Sequence, residues 1–438
     1  MDPIEISPIV IGLIGMGILF LLLAMGMPVG FAMFITGFVG FAYLTSTGSA
    51  LTKLAIVPFR TISSYHLAVI PLFIFMAHIC FSAGLSRDLY ELAYRWMGRL
   101  PGGLAIATIG ACAVFAAVSA SSVATAVTMG LVALPEMKKY NYDPKLATGA
   151  VAAGGTMGSM IPPSAGLILY GIIAEVSIGR LFMAGVIPGL IEAVFYTILI
   201  LMLCKFNPKL GPRGPSFSFK EKLAPIGRCG EIMALIALVL GGLFVGWFTP
   251  TEAGAVGAFG AIAFSMVRKR LSWQRFKAAS LETAKTSGMI YAMLIGAMTM
   301  NYFLAVSRIP TELAGFVSGL PLTPLGVMAI IMVVYFVLGC FISSLAIILL
   351  TIPIFLPLVL HLGFDPIWFG IMITLMGEIA KITPPVGINV YAIAGVAKDV
   401  PMETIFKGIM PFVVVDMFRA ALLLFVPQLA LFLPGLMK

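Results

Sequence analysis

Apolar stretches of about 20 residues, the length a helix needs to cross the hydrocarbon of a bilayer, recur through the whole chain. They fall at 8–25, 29–46, 67–84, 189–204, 232–248, 252–267, 289–306, 325–340 and 411–430, with shorter ones between. With 61% hydrophobic and 10% charged residues and a mean hydropathy of +1.09, the bilayer is the solvent for this sequence. The expected fold class is an all-α polytopic membrane protein. Residues 1–7 carry Asp2 and Glu5 and no Lys or Arg, so the cationic region of a cleavable signal peptide is missing and the first apolar stretch is expected to stay as a helix.

Sliding the sequence on itself by 222 residues superposes Pro28 on Pro250, Ser121-Ser122 on Ser343-Ser344 and Ala124 on Ala346. The same ungapped register pairs Leu134-Pro135 with Leu356-Pro357, Asp143-Pro144 with Asp365-Pro366, Gly155 with Gly377 and Pro162-Pro163 with Pro384-Pro385. The chain therefore reads as two repeats, 1–204 and 229–438, joined by the polar segment 205–228.

Charge orients the repeats. Of the 27 Lys and Arg, 11 lie in 205–228 and 268–277, a bias towards the cytoplasmic side rather than a nucleic-acid surface, so no nucleic-acid partner is expected despite the formal charge of +9. The basic linker 205–228 is expected in the cytoplasm, and its counterpart at residues 1–7, which is acidic, on the periplasmic side. Equivalent ends then face opposite compartments. Such an inverted repeat is typical of secondary transporters, whose sites lie near the midplane where the halves meet.

The apolar stretch 105–134 is interrupted by SASS at 119–122, and 327–356 is broken at Ser343-Ser344 after Gly339. Each arm is too short to span, so two re-entrant hairpins are expected, with Ser121 or Ser122 capping the second arm and Pro135 and Pro357 closing the pair. After each hairpin comes a glycine-containing helix and a Pro-Pro pair, in GGTMGSMIPPSAG (154–166) and GEIAKITPPVGIN (377–389). Two prolines remove two backbone donors and push the preceding residue out of the helical region. The carbonyls so freed are tolerable only beside a cavity or buried in protein. They suit a small hard cation such as Na⁺, and a helix restarting after them offers its positive N-terminus to an anion. Segments 50–64 and 272–287, at equivalent repeat positions, read as interfacial helices.

Five cysteines without a CxxC pair read as small buried hydrophobes, and three scattered histidines lack metal-ligand spacing. Ionisable residues within apolar stretches are costly and so are functional candidates: Glu175, Glu192, Glu252, Glu378, Lys381, Asp416 and Arg419. Glu378 with Lys381, and Asp416 with Arg419, are spaced to share a helix face as ion pairs, with substrate contact by Lys381 or Arg419 as the rival reading. No carboxylate falls in the broken tips, which favours Na⁺ over H⁺ as the coupling ion. An intramembrane enzyme would need a nucleophile with its base, or HExxH, and an ATP-driven pump a GxxxxGK[ST] loop; neither pattern occurs.

In FAAVSASSVATA (115–126), GGTMGSMIPPSAGLILYG (154–171), GCFISSLAIILLTIPIFLP (339–357) and ITPPVGINVYAIAG (382–395), the chain resembles the large membrane subunit of tripartite ATP-independent periplasmic (TRAP) transporters over essentially its whole length. Ser119-Ala120-Ser121 stands where that family often has Ser-Gly-Ser. The resemblance implies a scaffold with a mobile, elevator-like transport domain, Na⁺ near Ser121, Ser122, Ser343 and Ser344, an anionic and usually carboxylate substrate, and no other cofactor. It also implies two partners in the bacterial inner membrane system, a small four-helix membrane subunit and a periplasmic substrate-binding protein. The residues it marks for cation and substrate are Ser119, Ser121, Ser122, Thr125, Gly155, Thr156, Pro162, Pro163, Ser164, Ser343, Ser344, Gly377, Thr383, Pro384, Pro385 and Asn389. A free-standing divalent-anion symporter, which needs no binding protein, is the alternative, and a channel fits two mirrored broken hairpins less well.

Overall fold

The computed structural model describes residues 7–319 and 321–437; the acidic segment that orients the N-terminus lies, apart from Ser7, outside them. The described residues form helices and no strands. The first half of the chain holds α1 (Pro8–Ala24), α2 (Val29–Leu44), α3 (Thr47–Ile62), a 3-10 turn (Tyr65–Ala68), α4 (Val69–Ser82) and α5 (Leu85–Met97). It continues with α6 (Gly103–Ser119), α7 (Ser122–Lys139), α8 (Pro144–Met160), α9 (Ala165–Ile173) and α10 (Ile178–Phe206). A short α11 (Phe219–Leu223) sits in the linker. The second half runs through α12 (Ile226–Val245), α13 (Pro250–Val267), α14 (Trp273–Ser307), α15 (Ile309–Ser318), α16 (Pro324–Gly339) and α17 (Ser344–His361). It ends with α18 (Pro366–Lys381), α19 (Ile388–Val396), α20 (Met402–Phe425) and α21 (Gln428–Leu436). The 222-residue register carries α7 onto α17 end for end, and α8 and α9 onto α18 and α19 within a residue.

Among the described residues seven helical segments are long and apolar enough to cross a membrane. Large apolar side chains stand exposed along them and their neighbours, Phe31 (60%), Phe259 (74%) and Val414 (65%) among them, as expected of surfaces that meet lipid rather than water.

The halves interlock. Across the two halves, α2 packs on α14 and α4 on α13, while α8 packs on α20. Two of these crossings are glycine contacts: a Cβ on Gly296 would stand 2.1 Å from the Gly30 carbonyl oxygen, and one on Gly408 would stand 2.1 Å from that of Lys145. Small residues at such crossings let backbones approach where no hydrophobic effect drives helices together.

Four features differ from the sequence reading. Helix α7 runs through Pro135 to Lys139, and α17 through Pro353 and Pro357 to His361; one proline costs a membrane helix little beyond one backbone bond, which neighbouring groups offset. The 272–287 segment is no separate helix but the start of the 35-residue α14, because its repeat counterpart breaks at Ser63-Ser64 where α14 has Lys285-Thr286. The stretch 411–430 divides into α20 and α21, with Val426 and Pro427 between them. Glu175 and Glu252 stand at exposed helix ends, Glu252 completing a capping box with Thr249.

The linker 205–228 is docked rather than loose. Gly102 N–H donates to Gly211 O at 2.9 Å, Gly214 N–H to Gly98 O at 2.8 Å, and Asp143 N–H to Leu210 O at 3.0 Å. Arg95 and Trp96 of α5 donate to the carbonyls of Glu221 and Lys222 at 2.8 and 3.1 Å. The Ser218 backbone N–H and hydroxyl hold the Glu221 carboxyl below the usual carboxylate range.

Candidate functional site

Four helix breaks converge on one cavity of about 530 Å³ between the repeats. At the first, α6 ends at Ser119, Ala120 takes a left-handed conformation (φ 52°, ψ 12°), and Ser121 caps α7 by accepting the Ala124 N–H at 3.4 Å. The Thr125 hydroxyl donates to Ser121 O at 2.9 Å and shares a short hydrogen bond with the Ser119 hydroxyl. An alanine in that backbone region costs roughly 1–2 kcal/mol relative to glycine, so the tip is held by this hydroxyl cluster rather than by residue choice. At the second break, Ser343 caps α17 by accepting the Ala346 N–H at 3.4 Å, and the Ser344 hydroxyl donates to Gly377 O at 3.2 Å.

The third and fourth breaks lie at the proline pairs. Ser164 caps α9 by accepting the Leu167 N–H at 3.4 Å. Gly387 opens α19 in the left-handed region (φ 61°), with the Thr383 hydroxyl turned back onto Ile379 O at 2.7 Å. The first residues of α7, α9, α17 and α19 all line the cavity: Ser122, Ala165, Ser344 and Ile388. Helix N-termini present unpaired N–H groups and about half a positive charge each, which favours an anion.

The marked residues divide. Ser119, Ser121, Ser122, Ser343 and Ser344 line the cavity. Thr125 braces the first tip from behind. Gly155 and Gly377 are close-approach positions, where a Cβ would fall 2.6 Å from the Ala126 Cβ and 2.9 Å from the Ser344 hydroxyl. Pro162, Pro163 and Ser164, like Thr383, Pro384 and Pro385, form the breaks without lining the cavity. The Asn389 side chain donates to Ala152 O at 3.4 Å, and its carbonyl oxygen is buried with no hydrogen-bond partner among the described residues. Thr156 is directed away from the cavity and donates to Glu192 at 2.6 Å. Sequence reasoning missed His78, Thr128, Ser159, Thr286 and Thr374 as lining residues. Only Ser159 carried a signal, as the repeat counterpart of Lys381 within a quoted motif.

Two charged clusters occupy the seam. On α18, Lys381 donates to Glu378 at 2.6 Å and across the repeats to the Ser122 hydroxyl at 2.9 Å; both charged residues line the cavity. Arg419 of α20 is fully buried. It bonds Glu192 of α10, stands 3.1 Å from Asp416 as an ion pair without hydrogen-bond alignment, and Asp416 accepts from Tyr196. Arg419 is thus a strut between repeats and not a cavity residue. Among the described residues no three His, Cys, Asp or Glu side chains gather as a metal cluster, and all five cysteines are buried.

A family model described as "Tripartite ATP-independent periplasmic transporter, DctM component" matches residues 16–429. The C4-dicarboxylate TRAP transporter large permease protein of Pseudomonas aeruginosa is 33% identical over 88% of this chain and 90% of its own length. The sialic acid TRAP transporter large permease protein of Vibrio cholerae is 32% identical over 95% of this chain and 96% of its own. The isethionate TRAP transporter permease protein of Oleidesulfovibrio alaskensis is 33% identical over 95% of this chain, which spans 65% of that protein's length. Among solved structures the fold is like that of the Alcanivorax borkumensis YdaH transporter, at a TM-score of 0.65, 13% identity and coverage of 86% and 88% of the two chains. Motif order, a helical membrane fold built around broken helices, and a match over nearly the full length agree: the chain belongs to the DctM family of TRAP transporter large permease proteins, and the family is one of transporters, not enzymes.

Proposed function

We propose that this chain carries an organic acid anion across the bacterial inner membrane, driven by Na⁺, after a periplasmic binding protein has delivered the substrate. The observation that carries the reading is the cavity at the seam, where four helix N-termini and Lys381 present positive charge to a chamber lined by hydroxyls from both repeats. The chamber falls in the size range of small-molecule sites, about 300–1,000 Å³. In this reading α6–α7 and α16–α17 are the re-entrant hairpins and move with α8, α9, α18 and α19 as an elevator. Helices α2, α4, α13 and α14 belong to the scaffold, on which the small four-helix subunit packs. The N-terminus is periplasmic and the linker cytoplasmic.

Hydroxyls and freed carbonyls form a donor set for Na⁺. The Lys381 ammonium already engages the Ser122 hydroxyl, so the Ser343-Ser344 break is the better placed of the two for the ion. Relatives named for C4-dicarboxylate, sialic acid and ectoine transport support transport as the common activity while differing in cargo.

The test is uptake of labelled organic acids into proteoliposomes holding this chain and its small partner, with and without the binding protein, and with Na⁺ or K⁺ outside. Uptake that requires both Na⁺ and the binding protein, and that falls in Ser121→Ala and Ser343→Ala, is the expected result. Na⁺-driven uptake without a binding protein would point to a free-standing symporter, and proton-driven uptake indifferent to Na⁺ would overturn the cation assignment.

A further inference from the structure

We propose that the cavity is built for a monovalent organic acid, held by its acid group on Lys381, and not for a dicarboxylate, with Glu378 setting how tightly Lys381 grips. The inference deepens the reading of this cavity as the substrate chamber and rests on it.

Among the described residues Lys381 is the only Lys or Arg that lines the cavity, and its repeat counterpart Ser159, also in the lining, is neutral. An ammonium has three N–H groups. One goes to Ser122 at 2.9 Å and one to Glu378 at 2.6 Å, which leaves a third. The lysine side chain is 12% exposed and its partner carboxylate 1%. Both residues line the chamber and the ammonium is the more exposed of the two, so the pair turns its positive end towards an entering anion. The capped first turns of α7 and α17 line the same cavity and add partial positive charge. A dicarboxylate would bring a second full negative charge for which the lining has no second Lys or Arg. That charge would leave water for hydroxyls, helix N-termini and the His78 imidazole, which replace less of its hydration than a second ammonium or guanidinium would. A singly charged acid bearing hydroxyls matches both the single ammonium and the serine and threonine lining.

The test is binding of isethionate, lactate, gluconate and succinate to the purified full chain in detergent with Na⁺ present, followed by calorimetry. At least one of the three monoanions is expected to bind more tightly than succinate. That monoanion should weaken at least about tenfold in Lys381→Met, be largely restored in Lys381→Arg, and tighten in Glu378→Gln, where the ammonium loses its internal competitor. A gain in Glu378→Gln is not what a merely structural ion pair would give, since breaking such a pair only weakens the site. Succinate binding more tightly than all three monoanions, no monoanion binding, unchanged affinity in Lys381→Met, or loss in Glu378→Gln would each overturn the proposal. Binding in detergent needs neither partner nor gradient, so its failure is distinct from a failure of the uptake experiment.

Discussion

Replacing Arg419 by methionine keeps the approximate volume of the side chain and removes the one cation of a cluster that crosses the repeats. Glu192 would keep only the Thr156 hydroxyl, and Asp416 only Tyr196. Both carboxylates are at most 1% exposed, so water cannot replace what is lost. Breaking a buried pair on one side typically costs about 3–5 kcal/mol, and a second carboxylate left without its cation places the expected loss at the upper end of that range. Glu192→Gln should be milder, because Arg419 keeps Asp416 at 3.1 Å and the amide can still accept from Thr156; a loss of about 1–3 kcal/mol is expected. Adding Glu192→Gln to Arg419→Met should then cost less than the sum of the two, a positive coupling of about 2 kcal/mol in a double-mutant cycle. Unfolding in mixed detergent micelles can be followed by tryptophan fluorescence, and Trp368, whose indole donates to Leu423 O at 2.9 Å on the same helix as Arg419, reports on this junction. An Arg419→Met chain that unfolds within about 1 kcal/mol of the wild type, or strictly additive losses, would refute the view that the cluster joins the repeats.

Three further outcomes follow from local geometry. Ala120→Gly should stabilise the chain by roughly 0.5–1 kcal/mol in the same assay, since glycine relieves the left-handed strain and gives back part of the gain as unfolded-state entropy; a loss would mean that the alanine methyl is needed for packing. Gly296→Ala should destabilise by more than about 2 kcal/mol, because its Cβ would meet the Gly30 carbonyl oxygen at 2.1 Å and backbone cannot yield cheaply, whereas Gly288→Ala, with nothing within 4 Å, should be neutral or slightly stabilising on the same helix. Removing the exposed Lys138–Asp399 pair by Lys138→Gln should change stability by less than about 1 kcal/mol at any salt concentration.

How much of this was legible depended on which physics each feature obeys. The helix breaks were legible because serine caps and proline pairs act locally, and the repeat register then fixed their partners: Ser121 and Ser343 stand where cap chemistry puts them. Helix ends marked by a lone proline were misread at Pro135 and Pro357, because a single missing donor is a cost that packing around α7 and α17 can absorb. The fusion of 272–287 into α14 depended on what is missing from the sequence: that stretch has no counterpart of Ser63-Ser64, and an absence gives no positive signal to read.

The charged seam was legible only in part, and the boundary is instructive. Spacing of three along a helix exposed Glu378 with Lys381 and Asp416 with Arg419. Glu192 lies on α10 in the other repeat, and nothing local to it points 227 residues along the chain to Arg419. The same holds for Ser122 and Lys381, 259 residues apart. In both cases a local pair on the second repeat reaches an oxygen on the first, so the intrahelical spacing that suggested self-neutralised ion pairs concealed contacts that span the seam. The two pairs differ in what lies beyond them. Arg419 is enclosed by its partners with no exposed surface, and Lys381 is open to a chamber. Burial, which the sequence does not encode residue by residue, is what separates a strut from a binding group of the same chemistry.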